Sequence, residues 1–149
     1  MNLDMPDNEE MAQMYSLISQ YLNLPRYEVS NYAKTGEECR HNLNVWSGEA
    51  YIGIGQGAAG RVFYDDTWFE QRGNFECFEK ISDSTRATEK ILTGMRTIRG
   101  VKINEDVKKE LNFDWINSHK DLVEINGEYL HTTPSGLLIL DDIIVDIIK

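Results

Sequence analysis

The chain has 149 residues, 41% of them hydrophobic and 27% charged, and a formal net charge of −10. That acidity speaks against a general nucleic-acid surface, which needs clustered Lys and Arg to meet phosphates. No apolar run is long enough to span a membrane, and the acidic start (Asp4, Asp7, Glu9, Glu10) is not that of a signal peptide, so a reduced, cytoplasmic setting is expected for the two cysteines.

Residues 7 to 23 predict an amphipathic helix, with Met11, Met14, Tyr15, Ile18 and Leu22 at helical spacing on a face read as core. Asp7 or Asn8 suits the N-cap, Glu9 and Glu10 sit at the favourable end of the dipole, and Leu24-Pro25 ends the element. Tyr27-Glu28-Val29 reads as a short buried strand, half of an α/β unit that cannot make a sheet alone. Residues 30 to 48 read as loop, Tyr51 to Ile54 as a second strand, and Val62-Phe63-Tyr64 as a third. Five glycines between Gly48 and Gly60 demand sharp bends or close approaches. Residues 65 to 80, with Trp68, Phe69, Phe75 and Phe78, read as a linker packed over a junction.

A second amphipathic helix is predicted from Asp83 to Ile98, capped by Asp83 or Ser84, with Ala87, Ile91, Leu92, Met95 and Ile98 inward and Gly100 closing it. Asn104 caps a short helix over 105 to 112, and another follows over 113 to 119. The runs 122 to 125 and 128 to 131 flank Asn126-Gly127, a strong hairpin signal. Thr133-Pro134 starts a last helix with Leu137, Leu140, Ile144 and Ile148 inward, a stripe that Ile139, Ile143 and Ile147 broaden. Three helices, a hairpin and a helix make a winged-helix-like plan. Its would-be recognition segment is ringed by acidic residues, so a packing or interaction domain is expected rather than a DNA reader.

Two constellations could carry chemistry. Gly55-Gln56-Gly57-Ala58-Ala59-Gly60 fits G-x-G-x-x-G, but a dinucleotide site needs a helix to start there and the strand-like Arg61 to Asp65 follows. A turn between strands, with backbone open to a close ligand, fits better. His41 among Arg40, Asn42, Asn44 and Trp46 could ligate haem iron or titrate near neutrality; it could equally be a loop histidine bonded to backbone. Cys39 and Cys77 are too far apart in sequence to form a metal-type pair.

With these residues laid out, the chain resembles the C-terminal part of the oxygen-independent coproporphyrinogen III oxidase-like family, a branch of the radical S-adenosylmethionine (SAM) proteins, and within it the haem chaperone sub-branch. Tyr27-Glu28-Val29-Ser30-Asn31-Tyr32-Ala33 matches its YEISN-F/Y-A segment, and Arg40 to Trp46 its RHN-x-x-Y-W segment. Tyr51-Ile52-Gly53-Ile54-Gly55 with Gly57-Ala58 matches its Y-x-GIG-x-GA turn. The resemblance implies an α+β chain: residues 1 to 80 as the last helix and strands of a (β/α) radical SAM barrel with a linker, and residues 81 to 149 as a winged-helix-like domain. It implies a SAM pocket remnant at Tyr27, Glu28, Gly53, Gly55, Gly57, Ala58 and Ala59. It implies haem or porphyrin at His41, Asn42 and Trp46, with His41 on the iron.

The family's cofactors are SAM and a [4Fe–4S] cluster, but its C-x3-C-x2-C motif is absent here, and Val45 stands where the family has tyrosine. The resemblance therefore implies a fragment inactive alone in radical chemistry, which self-associates or meets a separate cluster-bearing chain. A non-enzymatic interaction module and a nucleotide binder using the glycine turn are the competing expectations.

Overall fold

The computed structural model describes residues 5–73 and 77–149; Asp4 and Phe75 lie outside the described residues. The fold is α+β, with two three-stranded antiparallel sheets. Among the described residues no helix is long and apolar enough to cross a membrane.

Helix α1 (Asn8–Tyr21) begins in a capping box: the Asp7 carboxylate accepts from the Glu10 N–H at 2.9 Å, and the Glu10 carboxylate accepts from the Asp7 N–H at 3.0 Å. Its apolar stripe is not core. Met11, Met14, Ile18 and Leu22 are all exposed, and Tyr21 is 81% exposed, because none of the described residues covers this face. One pin holds α1 to the body. The Arg26 guanidinium lies 4.2 Å from the Tyr15 ring centroid and 4.9 Å from that of Tyr32. It donates to both phenols and to Ser19, while the Tyr15 hydroxyl donates to the Val29 carbonyl at 3.1 Å. Stacked cations and charged hydrogen bonds are each worth about 1–2 kcal/mol. Arg26→Ala is therefore expected to speed amide hydrogen exchange in α1 by about an order of magnitude while leaving the main unfolding transition in place. Unchanged exchange in α1 would show that other contacts hold it.

Residues 40 to 46, read as loop, form helix α2 (Arg40–Trp46). Next come β1 (Ala59–Tyr64), β2 (Thr67–Arg72) and β3 (Cys77–Ile81), paired in that order. Strand β1 contains the predicted run at 62 to 64, but the strand predicted at Tyr51 to Ile54 is only a bridge, Tyr51↔Arg61. The supposed linker is β2 and β3. Its turn is Asp65-Asp66, both in left-handed conformations (φ 48° and 53°), and no glycine announces it.

Helix α3 (Asp83–Gly94) is capped by Ser82, just ahead of the two predicted caps. It stops short of Ile98 because the 27–29 segment takes the next backbone groups: the Val29 N–H donates to the Arg96 carbonyl at 2.9 Å, and the Ile98 N–H to that of Tyr27 at 3.2 Å. Tyr27 to Val29 is thus extended, with Tyr27 and Glu28 buried as expected, but it bridges Thr97 rather than joining a sheet. Leu92 and Ile98, read as inward, are exposed; Ala87, Ile91 and Met95 are buried.

The rest runs β4 (Val101–Lys102), α4 (Glu105–Glu110), α5 (Phe113–Ser118), β5 (Val123–Asn126), β6 (Tyr129–Thr132), α6 (Pro134–Leu138) and α7 (Leu140–Ile147). Asn104 caps α4, and Thr133 caps α6 with Pro134 inside its first turn, as the sequence predicts. The hairpin turn is Gly127-Glu128, one residue later than read, and β4 pairs with β6 to give the order β4-β6-β5. The single last helix of the prediction breaks at Ile139 (φ −121°, ψ 26°), which leaves that side chain exposed. Ile91, Met95, Val107, Leu111, Val123, Leu130 and Ile147 centre the main apolar core, whose buried members all lie between Ala87 and Ile147.

Candidate functional site

Seven residues with no side-chain cap make a weak helix, so α2 depends on what it leans against. The Trp46 ring lies under the Arg96 guanidinium, 5.2 Å from Cζ to ring centroid. Gly48, at φ +75°, turns the chain away, and its carbonyl accepts a hydrogen bond from Arg86 on α3. Arg86 is buried, stacks on the Trp68 ring of β2 at 4.1 Å and donates to Glu89 at 2.8 Å, while Glu89 also takes Arg61 of β1 at 2.6 Å. This junction fixes α2 and the first sheet on α3. Sequence reading missed it, since a charged residue on a helix is ordinarily solvated.

On α2, residues four apart share a face, so His41 aligns with Val45 and Asn42 with Trp46. His41 is exposed; the histidine side-chain bonds present belong to His119 and His131. Val45 borders a hollow of about 150 Å³ that Tyr51, Arg61 and Glu89 also line. Among the described residues no group of three or more His, Cys, Asp or Glu could hold a metal ion.

Glu28 is 1% exposed, and its Oε1 accepts from the Ser30 N–H at 2.9 Å and from Asn31 Nδ2 at 2.5 Å, so that oxygen is engaged in its own turn. The glycine segment is organised by a residue that sequence reading passed over. Gln71, fully buried on β2, accepts from the Gly53 N–H at 2.9 Å and donates to the Gly53 carbonyl at 3.2 Å and to that of Gly73. A Cβ at Gly53 would lie 2.4 Å from the Ala59 carbonyl oxygen, so only glycine fits. Gly55 and Gly57, at φ +112° and +73°, turn in open space, and β1 rather than a helix follows them. No helix N-terminus is offered to a pyrophosphate there, which removes the dinucleotide reading of the motif. Only the period-two pattern of Thr67 to Arg72 could have marked Gln71 as inward.

The predicted residues are only partly brought together. Tyr27 and Trp46 line one cleft of about 630 Å³ between α2 and the end of α3. Neither Glu28 nor Gly53 to Ala59 lines it, nor does His41 or Asn42. A larger cleft, about 1330 Å³, runs between α1 and the α6–α7 segment and contains none of the predicted site residues. The SAM candidates therefore form no single pocket among the described residues, and the haem candidates divide between two faces of α2.

No family model and no solved structure matches the chain. Curated relatives do. The chain is 41% identical over 146 residues to a protein of Lactococcus lactis named Heme chaperone HemW, covering 87% of this chain and 38% of that protein. It is 29% identical over 140 residues to the Bacillus subtilis protein of the same name, covering 82% and 37%. It is 27% identical to a Dictyostelium discoideum protein named Radical S-adenosyl methionine domain-containing protein 1, mitochondrial, covering 97% and 43%. The chain thus spans about two fifths of the length of the relatives it matches. These matches, with the segments at Tyr27, Arg40 and Tyr51, show that the chain belongs to the coproporphyrinogen oxidase-like radical SAM family that includes the proteins named haem chaperones, and corresponds to its C-terminal region.

Proposed function

We propose that the chain is a haem-handling C-terminal region of a haem-chaperone-like protein, with His41 as the ligand to haem iron. One observation carries this: His41 is an exposed imidazole, and among the described residues no group of three or more His, Cys, Asp or Glu that could hold a bare metal ion is assembled. Such a site suits a metal that arrives with most of its coordination filled. Haem supplies an iron held by four porphyrin nitrogens, and one axial histidine completes a working site. The chain's own part is to hold that imidazole on a short helix fixed at Trp46 and Gly48. Asn42 and Trp46, on the neighbouring face, position the helix in this reading rather than touch the ring.

The test is an absorbance titration with haem. Wild type is expected to give a saturable Soret shift near one haem per chain, with His41→Ala weakening it at least about tenfold, since even the loss of an outer-shell partner of a metal ligand costs that much. Val45→Tyr, which places the family's tyrosine four residues from His41, is expected to tighten binding. An unsaturable shift indifferent to His41 would defeat the proposal.

A [4Fe–4S] cluster held by three closely spaced thiolates does not fit this chain, whose two cysteines are Cys39 before α2 and Cys77 on β3, so no step of radical chemistry is assigned to its residues. We read residues 81 to 149 as a winged-helix-like domain, a reading supported by the order α3-β4-α4-α5-β5-β6 and the β4-β6-β5 pairing. We read residues 1 to 80 as barrel-derived, on the motif resemblance. The partner this reading requires is a cluster-bearing segment, in the same polypeptide or another, and the uncovered stripe of α1 supports it.

A further inference from the structure

The geometry points to a second binding site, for a small aromatic carboxylate, in the cleft between α2 and the β4–β6 edge. This is separate from the haem reading, because neither His41 nor Asn42 lines the cleft. At about 630 Å³ it is the size of an ordinary small-molecule site. Its charge is unusual for this molecule. Lys90, Arg99 and Lys102 line it against Glu38 and Glu49, which leaves one positive charge in excess on a chain of net −10.

The cations are not equivalent. Lys102 is paired with Glu128 at 3.2 Å. Arg99 donates to the Tyr129 hydroxyl at 2.6 Å and lies 4.6 Å over the Tyr129 ring, so its guanidinium is held in place with no carboxylate on it. Lys90 makes no ion pair among the described residues; its Nζ lies 5.5 Å from the centroid of Trp68. Burial pushes the Lys90 ammonium below its ordinary pKa, with the Arg86 charge adding to the fall and the charges of Glu49 and Asp106 opposing it. A partly desolvated cation held by no ion pair gains from an anion that shares its cleft. Flat rings form part of the remaining wall, Trp46, backed by Arg96, with Tyr129 and Tyr27, beside the polar side chains of Asn44, Ser47, Thr97 and Asn104. Gly100, at φ +79°, keeps the rim backbone against Leu130, so the cleft has a fixed edge. Carboxylate near Lys90 and Arg99, ring against Trp46 and Tyr129, is the occupant these groups select.

The experiment titrates 2-naphthoate, neutral 2-naphthamide and inorganic phosphate into the intact chain, following amide chemical shifts. Naphthoate is expected to bind saturably and to shift the amides of Gly94, Thr97 and Gly100. Naphthamide and phosphate should each bind at least about tenfold more weakly, the charge or the ring being absent. Lys90→Met, which keeps the apolar stem, should weaken naphthoate about tenfold, whereas Lys108→Met, an exposed lysine elsewhere, should not. Circular dichroism checks that both variants fold. Equal binding of naphthoate and naphthamide, equal loss in the two lysine variants, or shifts confined to other amides would overturn the proposal. Each of these outcomes leaves the His41 titration unaffected.

Discussion

Glu89→Gln is expected to destabilise the protein by about 3 kcal/mol, a fall in melting temperature on the order of 10 °C. The carboxylate stands between two guanidiniums, Arg61 Nη2 at 2.6 Å and Arg86 Nη1 at 2.8 Å. The Arg86 side chain is 7% exposed, so a neutral amide in this place leaves a buried cation without its counter-charge. The loss spreads because Arg86 also stacks on Trp68 and bonds the Gly48 carbonyl, tying the first sheet and α2 to α3. Burial alone would push the Glu89 carboxyl up, but hydrogen bonds from Arg61 and Arg86 outweigh it and hold the group below the ordinary glutamate value.

A carboxyl whose folded pKa lies below its unfolded one contributes stability above the unfolded value of about 4.3, and that contribution is lost as pH falls through the lower folded value. Wild type should therefore lose stability more steeply below about pH 4.3 than the variant. Glu70, held down by its hydrogen bond from Arg72, keeps a share of acid sensitivity in both. Melts at neutral pH and through this acid window decide the matter. Coincident curves would mean that the three charges are solvated and add little.

The second large effect is expected at Gly100. Gly100→Ala should cost roughly 3 kcal/mol or more, because two penalties add. At φ +79° an alanine is strained, and its Cβ would lie 2.0 Å from the Leu130 carbonyl oxygen. Leu130 is fully buried and pairs with Val101, so relief requires opening β4 from β6 over the core. Gly36→Ala is the control. Its φ of +89° is equally unfavourable, yet nothing lies within 4 Å, so only the conformational cost of about 1 kcal/mol is expected. Denaturant melts of the two variants should differ by about 2 kcal/mol. Equal losses would show that the strand yields freely at Gly100.

Local chemistry was legible in the sequence, and dependence on distant residues was not. The caps at Asn104 and Thr133 are read directly, and that at Asp7 as one of two candidates, since each needs only a side-chain oxygen and the N–H three residues on. The β5–β6 hairpin follows from Asn126-Gly127 to within one residue. Helix α2 was hidden because seven residues carry too little periodicity, and the residues that hold it, Arg86 and Arg96, lie far along the chain. Strands β2 and β3 were hidden behind a turn made by two aspartates. The break at Ile139 carries neither glycine nor proline, and the α1 stripe has helical spacing without a partner to bury it. Of the candidate site, the positions of Tyr27, His41 and Trp46 came from motif resemblance. The clamp by Gln71 and the cationic cleft came only with the fold.

The Asp65-Asp66 turn has a consequence for the order in which the molecule assembles. The bend matches the twist of the strands, but each left-handed aspartate costs about 1 kcal/mol and two adjacent carboxylates repel, so the β1–β2 ribbon gains little from it. What keeps it closed is partly its own, Phe63 against Trp68 and Arg61 on Glu70, and partly outside it, Trp68 beneath Arg86 and Arg61 on Glu89. We infer that the ribbon is locked late, when α3 brings Arg86 and Glu89 against it, rather than by its own bend.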